Sequence, residues 1–266
     1  MDGSLLSAMG RNWVRAMGAA VLAFLVVPVL FVFPMSLSSS MIFELIPEKP
    51  GLMQYARFFG SSNWMRAVLM SVQAACGTTV LATILGVLAS LGLHRFPTRW
   101  RASLEAMLIL PRIVPSIVFA VAAYSLFLRV GLAGSLLGLI VAHSILATPF
   151  VVVLVSSALA GFDRSQEEAS RSLGANQFRT FFRITLPQIR LAVFAGALFA
   201  FNVSFDEVVV TLFISGTYTK TLPVKVWDAI LYEMSPILPA ISTLIISVTL
   251  LIMVPVLLMQ RRTAAP

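Results

Sequence analysis

At 266 residues, 59% hydrophobic and only 11% charged, this chain carries more apolar surface than a water-soluble core of its size can hide, so a soluble domain is excluded and lipid must be its solvent. Its formal charge of +8 does not call for nucleic acid, because in a lipid-embedded chain clustered Lys and Arg mark loops on one face of the membrane. The one cysteine, Cys76, excludes an internal disulfide framework.

The N-terminus holds Arg11 and Arg15, followed by an uncharged run from Ala16 to Met35. That run is about twenty residues, longer than the ~7–15 of a signal-peptide core, and no small-residue cleavage site follows, so it reads as a retained first span. Residues 36–66 form an outer loop in which "LMQYARFF" suggests a short interfacial helix. A second span covers Ala67–Leu93. A third, Ala106–Leu128, is interrupted by Arg112 and contains "LPRIVPSIV". Pro111 and Pro115 lie one turn apart there and should bend it. The fourth lies within Val130–Phe162 and carries His143-Ser144. A nucleophile would need a base and an orienting acid, so this pair reads as helix packing. The fifth starts after Arg190, residues 214–235 form a second outer loop with Val226, Ile230 and Tyr232 on a further short helix, and the sixth lies within Met234–Gln260. Pro28, Pro34, Pro149 and Pro255 also fall inside spans.

Six spans put both termini on one side. Arg11, Arg15, Arg95, Arg99, Arg101, Arg164, Arg171, Arg179, Arg183, Arg190, Arg261 and Arg262 share that side, against Lys49, Arg57, Arg66, Arg129, Lys220 and Lys225 on the other. The excess of Lys and Arg makes the first side cytosolic. Trp13, Trp64, Trp100 and Trp227 all fall at or beyond span ends, as interfacial rings should. The expected organisation is a cytosolic segment 1–15, a six-span domain 16–260 and a cytosolic tail 261–266.

The sharpest local signal is "EEASRSLGANQFRTFFRITLP", from Glu167 to Pro187, inside a cytosolic loop 161–187. Ser165 followed by Glu168 is a capping box and predicts a short helix from about Gln166. Gly174 suits the left-handed residue that ends a helix. A second short helix follows from about Asn176, with Phe178, Phe181 and Phe182 on an apolar face and Arg179, Arg183 and Arg190 on another. Pro187 closes it or opens the fifth span. The spacing by itself describes a compact knob at the membrane surface, either a docking part or a capped corner.

The order Glu168-Ala169, Gly174, Ile184-x-Leu186-Pro187 resembles the EAA loop of permease subunits of ABC importers, in which Glu-Ala-Ala, three residues, Gly, nine residues and Ile-x-Leu-Pro follow one another. Ser170 in place of the second Ala is the single departure. "GLIVAHSILATPFVVV", "FNVSFDEVVVTLFISG" and "TLPVKVWDAI" resemble the polyamine-type branch, such as spermidine/putrescine permeases, whose relatives are also assigned to opines and aminophosphonates. The likeness covers roughly residues 50–255. It implies an all-α membrane protein with the type I ABC importer permease fold and a cytosolic coupling helix, in a bacterial inner membrane. It implies that Glu167, Glu168, Ala169, Ser170, Arg171, Gly174 and Ala175 meet the ATPase groove, while Ile184, Leu186 and Pro187 anchor the loop. The implied partners are an ATPase dimer, a second and distinct permease, and an extracytoplasmic solute-binding protein. The sequence contains no G-x-x-x-x-G-K-[ST], so ATP and Mg2+ are expected on the ATPase subunit and no cofactor or metal on this chain.

Asp206 and Glu207 follow only fifteen uncharged residues, Leu191–Phe205, after Arg190. That length reaches ~22 Å, short of the ~30 Å hydrocarbon core, and carboxylates at such depth face a cavity or a partner. Asn202 lies one turn earlier on the same face. Asn202, Asp206 and Glu207 are therefore candidates for the solute pathway, with local capping of helix ends as the plainer alternative. Arg112 is expected to snorkel toward the cytosolic headgroups or to pair with a partner's carboxylate, and His94 to be interfacial. An intramembrane hydrolase finds no support, since neither H-E-x-x-H nor G-x-S-x-G occurs. An ion-coupled secondary transporter using Asp206 and Glu207 is the alternative reading, although the two repeated halves usual for one are not visible.

Overall fold

A computed structural model describes residues 3–95 and 98–263, with side chains for 13–95 and 99–251. The side chains of Arg11, Arg261 and Arg262, and residues 264–266 of the expected tail, lie outside the described residues. In chain order the helices are α1 (Gly3–Ser36), α2 (Met53–Gly60), α3 (Ser62–Arg95), α4 (Thr98–Ile113), α5 (Ser116–Val130), α6 (Leu136–Ala160), α7 (Ser165–Ser172) and α8 (Gln177–Thr180). A π-helical turn, Phe181–Thr185, then leads into α9 (Leu186–Phe205), α10 (Val209–Ile214), α11 (Leu222–Tyr232) and α12 (Leu238–Thr263). The described residues form no sheet; a single antiparallel bridge joins Ser38 and Pro50.

The chain divides into two compact units. The first comprises residues 1–62 and 228–251. Its α1 begins at Gly3, so the helix takes in most of the expected N-terminal segment. From Trp13 to Ser36 it is long and apolar enough to cross a membrane, and none of its most apolar stretch is buried, as a lipid-facing helix should be. Pro28 and Pro34 are accommodated inside it. The loop after α1 is held by side chains: Tyr55 donates to Ser36 Oγ (2.8 Å) and Gln54 donates to the Ser40 carbonyl (2.6 Å).

The second unit runs from 63 to 227, with 252–266, and contains every candidate site residue. Its centre is α3 against α6 against α9. Along α3, Ser71, Ala75, Thr78, Ala82, Gly86 and Ser90 form a buried ridge of small residues at helical spacing. Apolar side chains gain little by leaving lipid for protein, so close backbone approach through small residues is what holds membrane helices together. The approach is tight here. A Cβ at Gly77 would stand 2.4 Å from Ile140 Cδ1, and one at Gly86 would stand 2.5 Å from Val151 Cβ. Ser90 Oγ lies 3.3 Å from the Val152 carbonyl, adding a polar tie between α3 and α6. Around Val151, Val155 and Leu159 of α6 collect Ala82, Ile189 and Ala200. A second cluster joins Ala120, Ala123 and Phe127 of α5 to Leu139, Ala142, Val210 and Ile214.

The third expected span is broken rather than merely bent. α4 and α5 meet at 94°. Pro111 lies inside α4, and Pro115 caps α5 with extended backbone (ψ 130°). Pro115 bars its predecessor from helical geometry, so the chain turns there. The fifth helical run starts earlier than expected, at Gln177 instead of after Arg190. Pro187 does not break it because it occupies the first turn of α9, where a missing N–H is harmless. The π turn just before it lets the Leu186 N–H reach the Phe181 carbonyl.

Among the described residues four helices are long and apolar enough to cross a membrane, or five with the bent α4–α5 pair. The sixth expected span coincides with α12, whose described apolar part is Leu238–Leu251. α2 and α11 are the short helices expected in the two outer loops.

Candidate functional site

Two places in the second unit hold the candidate residues, at opposite ends of α9. One is the corner formed by α7, α8 and the π turn. The other is the break between α9 and α10.

The corner is a helix–glycine–helix element, as its spacing predicts. Gly174 takes φ +84°, the left-handed conformation that glycine adopts without strain. Asn176 caps α8, its Oδ1 accepting the Arg179 N–H at 2.8 Å. The expected capping box at Ser165 and Glu168 does not form. Asp163 supplies the cap instead, accepting the Ser165 N–H on Oδ1 (2.9 Å) and the Ser165 hydroxyl on Oδ2 (2.8 Å). Those two bonds hold its carboxyl below the usual carboxylate range, the hydroxyl contributing more. α7 therefore starts one residue earlier than expected, at Ser165.

The adjacent acids of α7 point different ways. Glu167 turns inward: its Oε1 accepts the Thr185 hydroxyl at 2.7 Å, and its Oε2 lies 3.6 Å from Arg171 and 3.8 Å from Arg95. Glu168, Ala169, Arg171 and Gly174 are exposed, while Ser170 and Ala175 are half-buried. Ser170 Oγ lies 3.1 Å from Thr180 Oγ1, which fastens α7 to α8. Arg164 donates from Nε to His94 Nε2 at 2.9 Å, so His94 holds the end of α3 to the corner. His94, Arg95, Arg164, Glu167, Glu168 and Arg171 surround a pocket of about 120 Å³.

Of the expected anchors, Leu186 packs against the Val151–Leu159 cluster, Ile184 is half-buried and Pro187 is exposed. The buried root of the corner is Thr180, Thr185 and Ile189, which sequence reasoning did not single out. Thr185 occupies the variable position of Ile-x-Leu-Pro, so the spacing carried no signal for it. Leu173 was also missed, though a large apolar residue beside Gly174 was the available clue. It is 88% exposed, the most exposed large apolar side chain among the described residues. The expected apolar face is only partly buried: Phe181 packs against the Val151–Leu159 cluster, while Phe178 and Phe182 are exposed. Phe178, Phe181 and Phe182 line an open groove of about 450 Å³ with Leu88, Leu91 and Gly92 of α3.

At the far end of α9 the helix stops at Phe205, Asp206 donating its N–H to the Asn202 carbonyl (3.0 Å). Asp206 is exposed; Asn202 and Glu207 are half-buried. Glu207 Oε1 accepts the Val210 N–H at 2.9 Å, so this acid caps α10 while Asp206 stands clear. Leu186–Phe205 spans about 30 Å at 1.5 Å per residue. The acids and the corner therefore belong to opposite ends of one helix.

Arg112 is exposed and lies over an aromatic face. Its guanidinium carbon lies 4.0 Å from the centre of the Phe150 ring, which stacks in turn on Phe199 at 6.2 Å and 11°. The electron-rich ring face attracts the cation.

The chain is similar to known proteins both in sequence and in fold. Residues 82–264 match the family described as "Binding-protein-dependent transport system inner membrane component". The chain is 30% identical over 242 residues to the spermidine/putrescine transport system permease protein PotC of Escherichia coli (strain K12), covering 91% of each chain. It is 34% identical over 200 residues to the putrescine transport system permease protein PotI of the same organism, covering 72% of this chain and 71% of PotI. In fold it resembles a bacterial ABC transporter that imports the acidic polysaccharide alginate, with a TM-score of 0.72, 17% identity and coverage of 97% and 98%. The same transporter, in complex with an alginate pentasaccharide-bound periplasmic protein, gives a TM-score of 0.71 at 15% identity, with the same coverage.

Proposed function

Since this chain belongs to the family of binding-protein-dependent transport system inner membrane components, we propose that it is one half of the membrane pathway of an ATP-driven importer for a polyamine or a related amine. It is a multi-pass inner-membrane protein that carries solute and performs no chemistry of its own. The observation that carries the reading is the corner at α7. Glu168, Ala169, Leu173 and Gly174 are exposed there, while Glu167 and Thr185 tie the corner to the root of α9. An exposed knob fixed to a pathway helix is what a separate motor needs to grip.

In this reading the corner faces the cytosol, both termini lie on that side, and α12 completes six crossings. An ATPase dimer binds ATP and Mg2+ and receives Glu168, Ala169, Ser170, Arg171, Gly174 and Ala175 in its groove. A second permease closes the other half of the pathway, and a solute-binding protein delivers cargo at the α10–α11 end. ATP and loaded binding protein both favour the outward-open state, so the cycle is a biased two-state equilibrium. Asn202, Asp206 and Glu207 line the outer part of the pathway, where carboxylates suit an ammonium cargo. PotC and PotI, named for spermidine/putrescine and putrescine, support the amine. The alginate transporter captured with its periplasmic protein supports the delivering partner.

The test is affinity purification of the full chain from its native membrane, followed by an Mg2+-ATPase assay. ATPase activity should copurify and fall sharply with Glu168→Ala plus Leu173→Asp. A well-folded chain that brings no ATPase with it overturns the reading.

A further inference from the structure

His143 was read from sequence as a packing residue, yet it sits at the crossing of four helices. Its Nδ1 lies 2.8 Å from Ser204 Oγ, in the last turn of α9, and its Nε2 lies 3.0 Å from Thr211 Oγ1 of α10. Ser204 Oγ is also 3.2 Å from Thr78 Oγ1 on α3. Thr211 Oγ1 reaches the Glu207 carbonyl at 3.0 Å. All four side chains are at most 2% exposed.

A single side chain therefore grips both sides of the α9–α10 break, which holds Asp206 and Glu207. Irregular backbone at such a place persists only where its polar groups are met. Here Asp206 N–H has Asn202, Val210 N–H has the Glu207 carboxylate and the Glu207 carbonyl has Thr211. Among the side-chain hydrogen bonds of the described residues, those of the His143 ring are the ones that reach both helix ends. Val210 and Ile214 pack into the cluster with Ala120, Leu139 and Ala142, so α10 is a firm anchor for that tie.

Each hydroxyl has one hydrogen. If Thr211 spent its own on Glu207 and Ser204 spent its own on Thr78, both ring nitrogens would have to donate, leaving a buried imidazolium at high cost. A neutral ring donates from one nitrogen and accepts at the other, with one hydroxyl turned toward it. Either tautomer keeps both helix ends bonded.

We infer that His143 is a positioning residue that clamps the α9–α10 break, and so fixes where Asp206 and Glu207 stand. This rests on the reading of those two acids as pathway residues. The clamp itself is read from the geometry alone, and the test separates the two.

The native cysteine at position 76 is replaced with Ala in the assembled importer, and Asp206→Cys serves as a reporter in membrane vesicles. Its modification rate by a small charged methanethiosulfonate reagent is then measured. Adding His143→Leu should change that rate by at least about threefold, the scale of one net hydrogen bond. Thr211→Val and Ser204→Ala, which each release one arm at near-constant volume, should shift it in the same direction. His143→Gln, which can still bond one side, should fall between. Ser172→Cys on the exposed corner, at the other end of α9, should react at an unchanged rate when His143→Leu is added. A purely structural role for the ring would lower thermal stability without this local change. If His143→Leu fails to assemble, the Thr211→Val and Ser204→Ala chains decide. Reporter rates equal to those of the parent in every folded variant overturn the clamp. Putrescine uptake is measured alongside: if Asp206→Asn with Glu207→Gln leaves it unchanged, the pathway reading falls while the reporter result still decides the clamp.

Discussion

Thr185 donates a 2.7 Å hydrogen bond to Glu167 Oε1, joining the first helix of the exposed corner to the buried root of α9. The Glu167 side chain is 13% exposed, but Arg95 and Arg171 beside its other oxygen are 44% and 45% exposed. Water screens those ion pairs, so the hydroxyl bond carries more of the tie. A push on α7 reaches α9 through this contact and through the bond that Gln188 of α9 donates to Gln166 Oε1 at 2.6 Å.

Glu167→Ala should therefore lower stability by about 1–2 kcal/mol, since it leaves the buried Thr185 hydroxyl without its acceptor. Glu167→Gln keeps that acceptor and should cost less. A double-mutant cycle with Thr185→Val in detergent unfolding should give a coupling of about 1 kcal/mol. Additive single effects would show that the two groups do not act together.

Leu173 and Gly174 should separate docking from folding. Leu173 is 88% exposed, so Leu173→Asp should leave thermal unfolding of the isolated chain within ~0.5 kcal/mol of the parent. It should weaken ATPase association by at least about tenfold, as loss of an apolar interface anchor does. Gly174→Ala meets no neighbour within 4 Å, so its only cost is the left-handed backbone, about 1–2 kcal/mol. A Leu173→Asp chain that binds the ATPase normally would remove this residue from the interface.

Two glycines of α3 make opposite predictions. A Cβ at Gly86 would overlap Val151 at 2.5 Å, and Val151 is fully buried. Gly86→Ala should cost about 1–3 kcal/mol through overpacking. Gly92 has nothing within 4 Å, so Gly92→Ala should be neutral or stabilising by up to ~1 kcal/mol through helix propensity. Detergent melting curves that rank the two the other way would contradict the small-residue contact between α3 and α6.

What was legible in the sequence was what depends on local backbone rules. Gly174 and Asn176 turn and restart the chain as their types demand, and Pro111 with Pro115 marked a disturbed span. The cap was misplaced because Asp163 and Ser165 are both good capping residues two positions apart, and spacing does not decide which side chain bonds and which is bonded. The size of the 94° break was not legible, since proline states where a helix is disturbed and packing sets how far it turns. The His143 contacts were invisible for a different reason. Ser204 and Thr211 lie 61 and 68 residues away, and no periodicity links a histidine to hydroxyls at that distance. The ring beneath Arg112 was equally invisible, because it belongs to α6 and only packing brings it there.

The two acids at the α9–α10 break should divide by role. Glu207 caps α10 through Val210, so Glu207→Ala should cost about 1 kcal/mol of stability while Glu207→Gln, with an equivalent oxygen, should cost little. Asp206 accepts no comparable backbone bond and is exposed, so Asp206→Asn should leave stability unchanged. If the pair recognises an ammonium group, the double variant Asp206→Asn with Glu207→Gln should lower amine uptake by at least about tenfold, the weight of one desolvated charge contact of ~1.4 kcal/mol. ATPase copurification should stay intact, because the corner lies at the other end of α9. Normal putrescine uptake in a stable double variant would reduce both acids to helix-end chemistry and move cargo recognition elsewhere in the bundle.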